Sequence, residues 1–229
     1  MYKKIIEKSI CEIRFKPDST FLDKRGQIAN RIAEKSIFTD WNITANQIEF
    51  TSSSNKNIKA NFSYRNLALE SAEPNKRSFL IGNIKSFLEK SWDLLPNSNI
   101  IRIGVRSTYI IESDNFKEIF ELLKEKFFVN NSTDFSGYDL YDLAISFNFV
   151  KGENYFHVSI GPMNDAEIKN NFNDEAGLPK AGLFMDIDSF KKTVSPHITQ
   201  KEIMSQIKDL FNNNETEKNT IIKKIWPKE

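Results

Sequence analysis

Three short stretches carry side chains equipped to do chemistry. In Ile101–Arg106 two guanidiniums, Arg102 and Arg106, share one face of an alternating run with Gly104 between them. They stand four residues apart, about 13 Å at ~3.3 Å per residue. That is too far to grip one phosphate, though it suits separate carboxylates or successive phosphates. Gly104 leaves room for a helix or a ligand to approach the sheet closely. Glu12 and Arg14 sit on the corresponding face of the first strand. If the two long strands are neighbours, Glu12 pairs with Arg102 or Arg106 across the sheet. Glu12, Arg14, Arg102, Gly104 and Arg106 are therefore the candidate binding residues, with purely structural pairing as the plainer reading of the same set. Asp186 and Asp188 flank Ile187 and share a strand face, an arrangement that contributes to a magnesium site when further carboxylates converge on it. Nothing in the sequence shows that convergence, and a strand-terminal cap or turn is the plainer account.

Other kinds of site are poorly supplied. The chain has two histidines, His157 and His197, and one cysteine, Cys11. This composition excludes an intramolecular disulfide and any site needing several cysteines, and it leaves little room for a His-rich zinc site. Cys11 falls on an apolar strand face, as a buried and inert thiol would. Neither histidine has a sequence-local partner of the kind a nucleophilic triad shows. Glycine occurs only 8 times, and neither phosphate-cradling glycine pattern is present. The expectation is a protein without a cofactor and, on balance, without catalysis.

The near-zero net charge of +1 conceals polarity. Met1–Ile111 holds 18 Lys/Arg against 11 Asp/Glu, a net of +7, and the remainder is −6. Such polarity steers an anionic partner to the first half or pairs molecules head to tail; ordinary variation among solvated faces is the plainer account. Basic and aromatic residues mingle over Lys56–Arg77, where Phe62 and Tyr64 lie near Lys59, Arg65 and Arg77. That combination resembles a stacking platform for single-stranded nucleic acid, although a half-buried strand needs the same alternation. Glu7 and Lys8 interrupt the apolar run that a signal peptide requires, and no run reaches the length of a membrane span. The expected setting is the cytoplasm, away from membranes.

The elements that position these residues follow from periodicity. Residues 9–16 alternate as a strand, Leu22–Ser36 reads as a helix, and Asn46–Thr51, Lys59–Tyr64 and Asn66–Ser71 read as strands. Ile84, Phe87, Leu88, Ser91, Trp92 and Leu95 form a helical stripe, with Pro74-Asn75 before it and Pro96 at its end. The order then repeats. Asn99–Ile111 is a long strand, and Asp114 is placed to cap a helix over Asn115–Phe128. A loop covers Asn130–Gly137, and the strands are Tyr141–Phe149, Tyr155–Ile160 and Leu183–Ile187, the first two joined at Lys151-Gly152. Asn164–Lys180 reads as a loop with one helical turn. Pro196 precedes helices over Thr199–Phe211 and Glu217–Ile225, separated by the turn-forming Asn212-Asn213-Asn214. The expected fold is α+β: two similar β-α-β-β-β-α halves, 1–97 and 98–229, with antiparallel or mixed sheet and helices packed on one face.

Cys11-Glu12-Ile13-Arg14-Phe15, Arg102-Ile103-Gly104-Val105-Arg106 and Asp186-Ile187-Asp188 together resemble a sporadically distributed family of uncharacterised bacterial proteins with a Cys-Glu-Ile-Arg-Phe-like start. The resemblance covers most of the chain. It departs at Ser107-Thr108-Tyr109, where that family continues with an Arg-Tyr-Ile-Asn-like run. It implies a cytoplasmic bacterial protein, suited to an accessory or defence-associated role beside a protein partner, and it supplies no catalytic residue. Three functions are expected in descending order: a non-catalytic binding protein whose partner is another protein or itself; single-stranded nucleic-acid binding through Lys59, Phe62, Tyr64, Arg65 and Arg77; and a metal-dependent enzyme centred on Asp186 and Asp188.

Overall fold

Alternation along the two long central segments has the consequence that period two requires, one face greasy and the other charged. In the structure, a computed structural model that describes residues 4–72, 77–94, 100–128, 140–172, 177–192 and 198–226, these segments are β1 (Ile5–Phe15) and β6 (Ile100–Glu112). They run antiparallel as neighbours, with Cys11 opposite Val105 and Glu12 opposite Gly104. Cys11, Ile13, Phe15, Ile103, Val105 and Tyr109 point to one side and are buried.

Between β1 and β6 come α1 (Thr20–Ala33), β2 (Asp40–Ile43), β3 (Gln47–Thr51), β4 (Ile58–Ser63), β5 (Asn66–Ser71) and α2 (Arg77–Ser91). After β6 follow α3 (Phe116–Phe127), β7 (Ile145–Lys151), β8 (Asn154–Asn164), α4 (Asp165–Phe172), β9 (Ala181–Lys192) and α5 (Gln200–Ile225). The nine strands among the described residues form one antiparallel sheet in the order β2-β3-β4-β5-β1-β6-β9-β8-β7. Reading outward from the β1–β6 pair gives β5, β4, β3 on one side and β9, β8, β7 on the other. The two halves are thus related in topology by a local two-fold between β1 and β6, each keeping the expected element order. The first half adds the edge strand β2, and the second adds α4.

Helices α1, α2, α3 and α5 cover the apolar face in two core clusters. The first gathers Ile13, Phe15, Ile28, Phe50, Phe62, Phe87 and Phe211 around β1–β5. The second gathers Tyr109, Ile119, Leu123, Val158, Met185, Ile187 and Ile222 around β6–β9. Each fully buried large apolar side chain contributes roughly 1.5–3 kcal/mol. α5 serves both clusters, with Ile207 and Phe211 in the first and Ile221, Ile222 and Ile225 in the second.

Several elements depart from expectation for identifiable reasons. α5 is one helix, opened by a capping box between Thr199 and Glu202, and it runs straight through Asn212-Asn213-Asn214. The turn preference of asparagine is overridden because Asn214 is fully buried and its amide is hydrogen-bonded to the sheet (below). The segment after Asn164 holds a two-turn helix, α4, whose Ile168 and Phe172 pack on Ile6 and Ile110 on the sheet's other face. The α3 cap is Asn115, whose side chain accepts from the Glu118 N–H, rather than Asp114. β7 begins at Ile145, and Tyr141 is exposed outside it. The hairpin at Lys151-Gly152 is present, with Gly152 at φ +60°. The expectations at Pro74-Asn75, Lys76, the Asn97–Asn99 boundary, Asn130–Gly137 and Pro196-His197 fall outside the described residues.

Candidate binding site

Opposite the main helical layer the sheet carries charge. Arg102 lies at the centre of it. Its Nη1 donates to Glu12 at 2.8 Å, and its Nη2 donates to both oxygens of Asp188 at 2.8 and 2.7 Å. Glu12 also accepts from Arg14 Nε at 2.7 Å and from Asn66 Nδ2 at 2.9 Å. Four residues along β6, Arg106 Nε donates to both oxygens of Asp186 at 2.9 and 3.0 Å, and the Thr108 hydroxyl donates to the same carboxylate at 2.8 Å. The β5–β1, β1–β6 and β6–β9 registers bring these residues of four strands together.

Gly104 explains the geometry. A Cβ there would stand 2.9 Å from the Arg102 Cζ and Nη1. What approaches the sheet closely at this glycine is the guanidinium of Arg102 itself, folded back over the backbone. Its plane lies over Phe190, with Cζ 4.4 Å from the ring centroid, and Phe190 stacks on Tyr155 at 5.5 Å. Lys192 Nζ completes the stack 4.6 Å from the Tyr155 centroid. The guanidinium is clamped by two carboxylates and a ring face, a pre-set arrangement rather than a mobile surface side chain. Burial pushes the Asp188 carboxyl above the ordinary range, even against the pull of Arg102.

This charged surface lines an open groove of about 600 Å³. Gln47, Glu49, Lys59 and Asn61 of β3 and β4 line it too, as do Ile10, Ala68 and Gly104. All five candidate binding residues line it together with Asp188. Asp186 and Asp188 do share a face, as their spacing requires, but each is held by its own arginine. Among the described residues no three His, Cys, Asp or Glu side chains gather in the manner of a metal site.

The five residues of the nucleic-acid alternative are not brought onto one surface. Phe62 is buried in the first core, stacked on Phe21 at 5.8 Å, so it offers no face to a base. Tyr64 packs half-buried against the same core with Arg65 over its ring. Arg77 lies on α2, beneath the opposite face, bonded to Glu215 at 2.9 Å. Lys59 alone reaches the groove. The even positions of β4 point to the core, which separates Phe62 from Lys59.

His157 is hydrogen-bonded on both ring nitrogens. Its Nδ1 meets Asn148 Oδ1 at 2.8 Å and its Nε2 meets Ser159 Oγ at 3.3 Å. Ser159 also meets the Ser146 hydroxyl at 2.7 Å. β8 is paired along both edges, so its N–H groups serve the ladders rather than an oxyanion. Cys11 is buried, and burial pushes its thiol up, away from thiolate chemistry.

A second polar cluster lies under the helices, where the two cores meet, and sequence reading missed it. Its one available signal was Glu7, which alternation places on the same inward face as Cys11. Glu7 accepts from the Ser9 hydroxyl at 2.9 Å, and Ser9 meets Ser107 at 3.1 Å. Glu215 is bonded to Lys218 at 2.6 Å as well as to Arg77. Lys218 is buried, with its Nζ 5.0 Å from the Tyr109 ring centroid. Burial pushes the Glu7 carboxyl up; the Ser9 hydroxyl, Arg77 and Lys218 pull it back only in part. Burial acts the same way on Glu215, but there Lys218 and Arg77 outweigh it and hold the carboxyl below its usual range.

The two shifts have opposite consequences for stability. Glu7, raised in the fold, contributes stability that is full below the unfolded value of about 4.3 and is lost as pH rises through its folded value. Glu215, depressed, contributes stability present above that pH and lost as pH falls through its folded value. Glu7→Gln is therefore expected to gain on the parent as pH climbs from 4 to 7. Glu215→Gln should be less stable by about 1–2 kcal/mol at neutral pH, with the deficit fading in acid. Urea midpoints across that range check both, and a Glu7→Gln variant less stable than the parent at neutral pH would contradict the first.

No protein-family model matches the chain, and no curated protein matches it in sequence. No helix among the described residues is long and apolar enough to cross a membrane.

Proposed function

We propose that this protein is a cytoplasmic, non-catalytic binding protein that docks a polypeptide, on another protein or on a second copy of itself, in the groove on the charged face of its sheet. The observation that carries this reading is the network of Glu12, Arg14, Arg102, Arg106 and Asp188 lining an open groove, with Asp186 holding Arg106 from outside that lining. The arginines of such a network stay protonated and transfer no proton, and each carboxylate is already the acceptor of an arginine. The arrangement recognises; it has no group free to serve as acid, base or nucleophile. Acidic and basic side chains alternate along the walls, so the groove lacks the positive field by which polyanions are held. A polypeptide, which brings donors, acceptors and charges of both signs, is the matching chemistry. The family resemblance, with its implied protein partner, agrees with this reading.

Affinity capture and solution mass measurement over a range of salt concentrations test it. The expected result is a protein partner or self-association that weakens with salt and is lost when Lys59 and Arg106 are replaced by glutamate. Absence of any protein partner or self-association, or capture unaffected by those replacements, would contradict it.

A further inference from the structure

Two arginines of the groove are only half engaged. Arg14 gives its Nε to Glu12, and Arg106 gives its Nε to Asp186. The terminal Nη1 and Nη2 of both have no partner among the described residues, and their side chains are 51% and 54% exposed. Arg102 differs, since both of its terminal nitrogens are engaged and its side chain is 13% exposed. A guanidinium held at Nε by a carboxylate, with two terminal amino groups open, is an oriented fork for a second carboxylate. The orientation is already fixed before a ligand arrives, which lowers the entropy lost on binding.

The register sets the backbone spacing of the two arginines. Arg14 stands opposite Arg102, and Arg106 lies four residues further along β6. That is about 13 Å along the strand and about 5 Å across it, roughly 14 Å between the two Cα atoms. An extended polypeptide sets its i and i+4 side chains on one face about 13 Å apart. Between the forks lie Glu12 and the Arg102 guanidinium folded over Gly104, already paired with each other, while Glu49 and Glu70 line the groove nearby. A chain charged at every link is repelled there; a chain charged only at its two contact points is not.

We infer that the groove takes an extended segment carrying acidic side chains at i and i+4, one carboxylate on Arg14 and the other on Arg106. This rests on the docking reading above and names the chemistry of its partner.

Fluorescence anisotropy tests it with labelled nine-residue threonine-valine peptides containing two glutamates at i,i+4, two at i,i+3, or two glutamines at i,i+4, and with a thymidine oligonucleotide of similar length. The i,i+4 glutamate peptide should bind about tenfold more tightly than either other peptide, as one added charge-assisted pair provides. The Arg14→Gln, Arg106→Gln double variant should bind all three alike. The spacing comparison on the parent protein stands even if that variant folds poorly. Equal binding of the glutamate isomers, or tighter binding of the oligonucleotide, would overturn the inference. Equal isomers together with a polypeptide cross-linked at Lys59 would leave docking intact and remove the acidic-spacing rule. Equal isomers with no cross-link would remove both.

Discussion

Replacing Arg102 by alanine is expected to destabilise the fold by about 3 kcal/mol, the scale of breaking a buried ion pair from one side. The loss falls mainly on Asp188. Glu12 keeps Arg14 and Asn66, but Asp188 loses both of its bonds to Arg102. Burial already pushes its carboxyl up, so the deficit should shrink in acid, where Asp188 becomes neutral. Arg102→Lys should recover less than half of the loss, because an ammonium cannot reach Glu12 and Asp188 in one plane while lying over Phe190. Gly104→Ala tests the same arrangement without removing a charge. The new methyl meets the guanidinium at 2.9 Å, so it should displace Arg102 and reproduce a large part of the deficit. Chemical denaturation of the three variants measures these effects. An Arg102→Ala deficit under about 0.5 kcal/mol would mean that the network behaves as a screened surface pair.

Asn214→Leu is the second substitution expected to have a large effect, again about 3 kcal/mol. Asn214 Nδ2 lies 3.1 Å from the Val105 carbonyl, 3.2 Å from the Ile187 carbonyl and 3.3 Å from Ser107 Oγ, with no solvent exposure. The residue fastens the middle of α5 to β6 and β9 at the point where the helix passes from one core to the other. Leucine supplies apolar surface but leaves those acceptors without this donor, and its branched end must fit beside the small side chains of Ser107 and Ser189. Hydrogen exchange should show α5 amides near Asn214 losing protection more than those near Ile203. A variant within about 1 kcal/mol of the parent would show that apolar packing alone holds the helix.

Much of the architecture was written in periodicity. Apolar side chains at every second position of β1, β6 and β8 can be buried together only on one face of a sheet, and the stripes of α2 and α3 can only cover it. The Glu12–Arg102 pair was legible for the same reason, because two long alternating strands placed side by side bring it into register. Gly104 announced a close approach but could not say what approaches, since a side chain folding back onto its own strand leaves no spacing signal. Asn212–Asn214 misled because local preference was overruled by three acceptors from distant strands. Phe62 and Lys59 looked like one surface because sequence proximity hides the face reversal that strand pleating imposes. The Glu7, Glu215 and Lys218 cluster joins residues far apart in the chain, and only an inward charge on β1 hinted at it.

The central claim is that the charged sheet face, and not the helical face, receives a polypeptide. Site-directed photo-cross-linking tests it most directly, with p-benzoylphenylalanine placed either at Lys59 in the groove or at exposed Lys208 on α5. The prediction is a saturable adduct to polypeptide from position 59, diminished by Arg14→Gln and Arg106→Gln, and none from position 208. An adduct formed equally from both positions, or from position 208 alone, would contradict it.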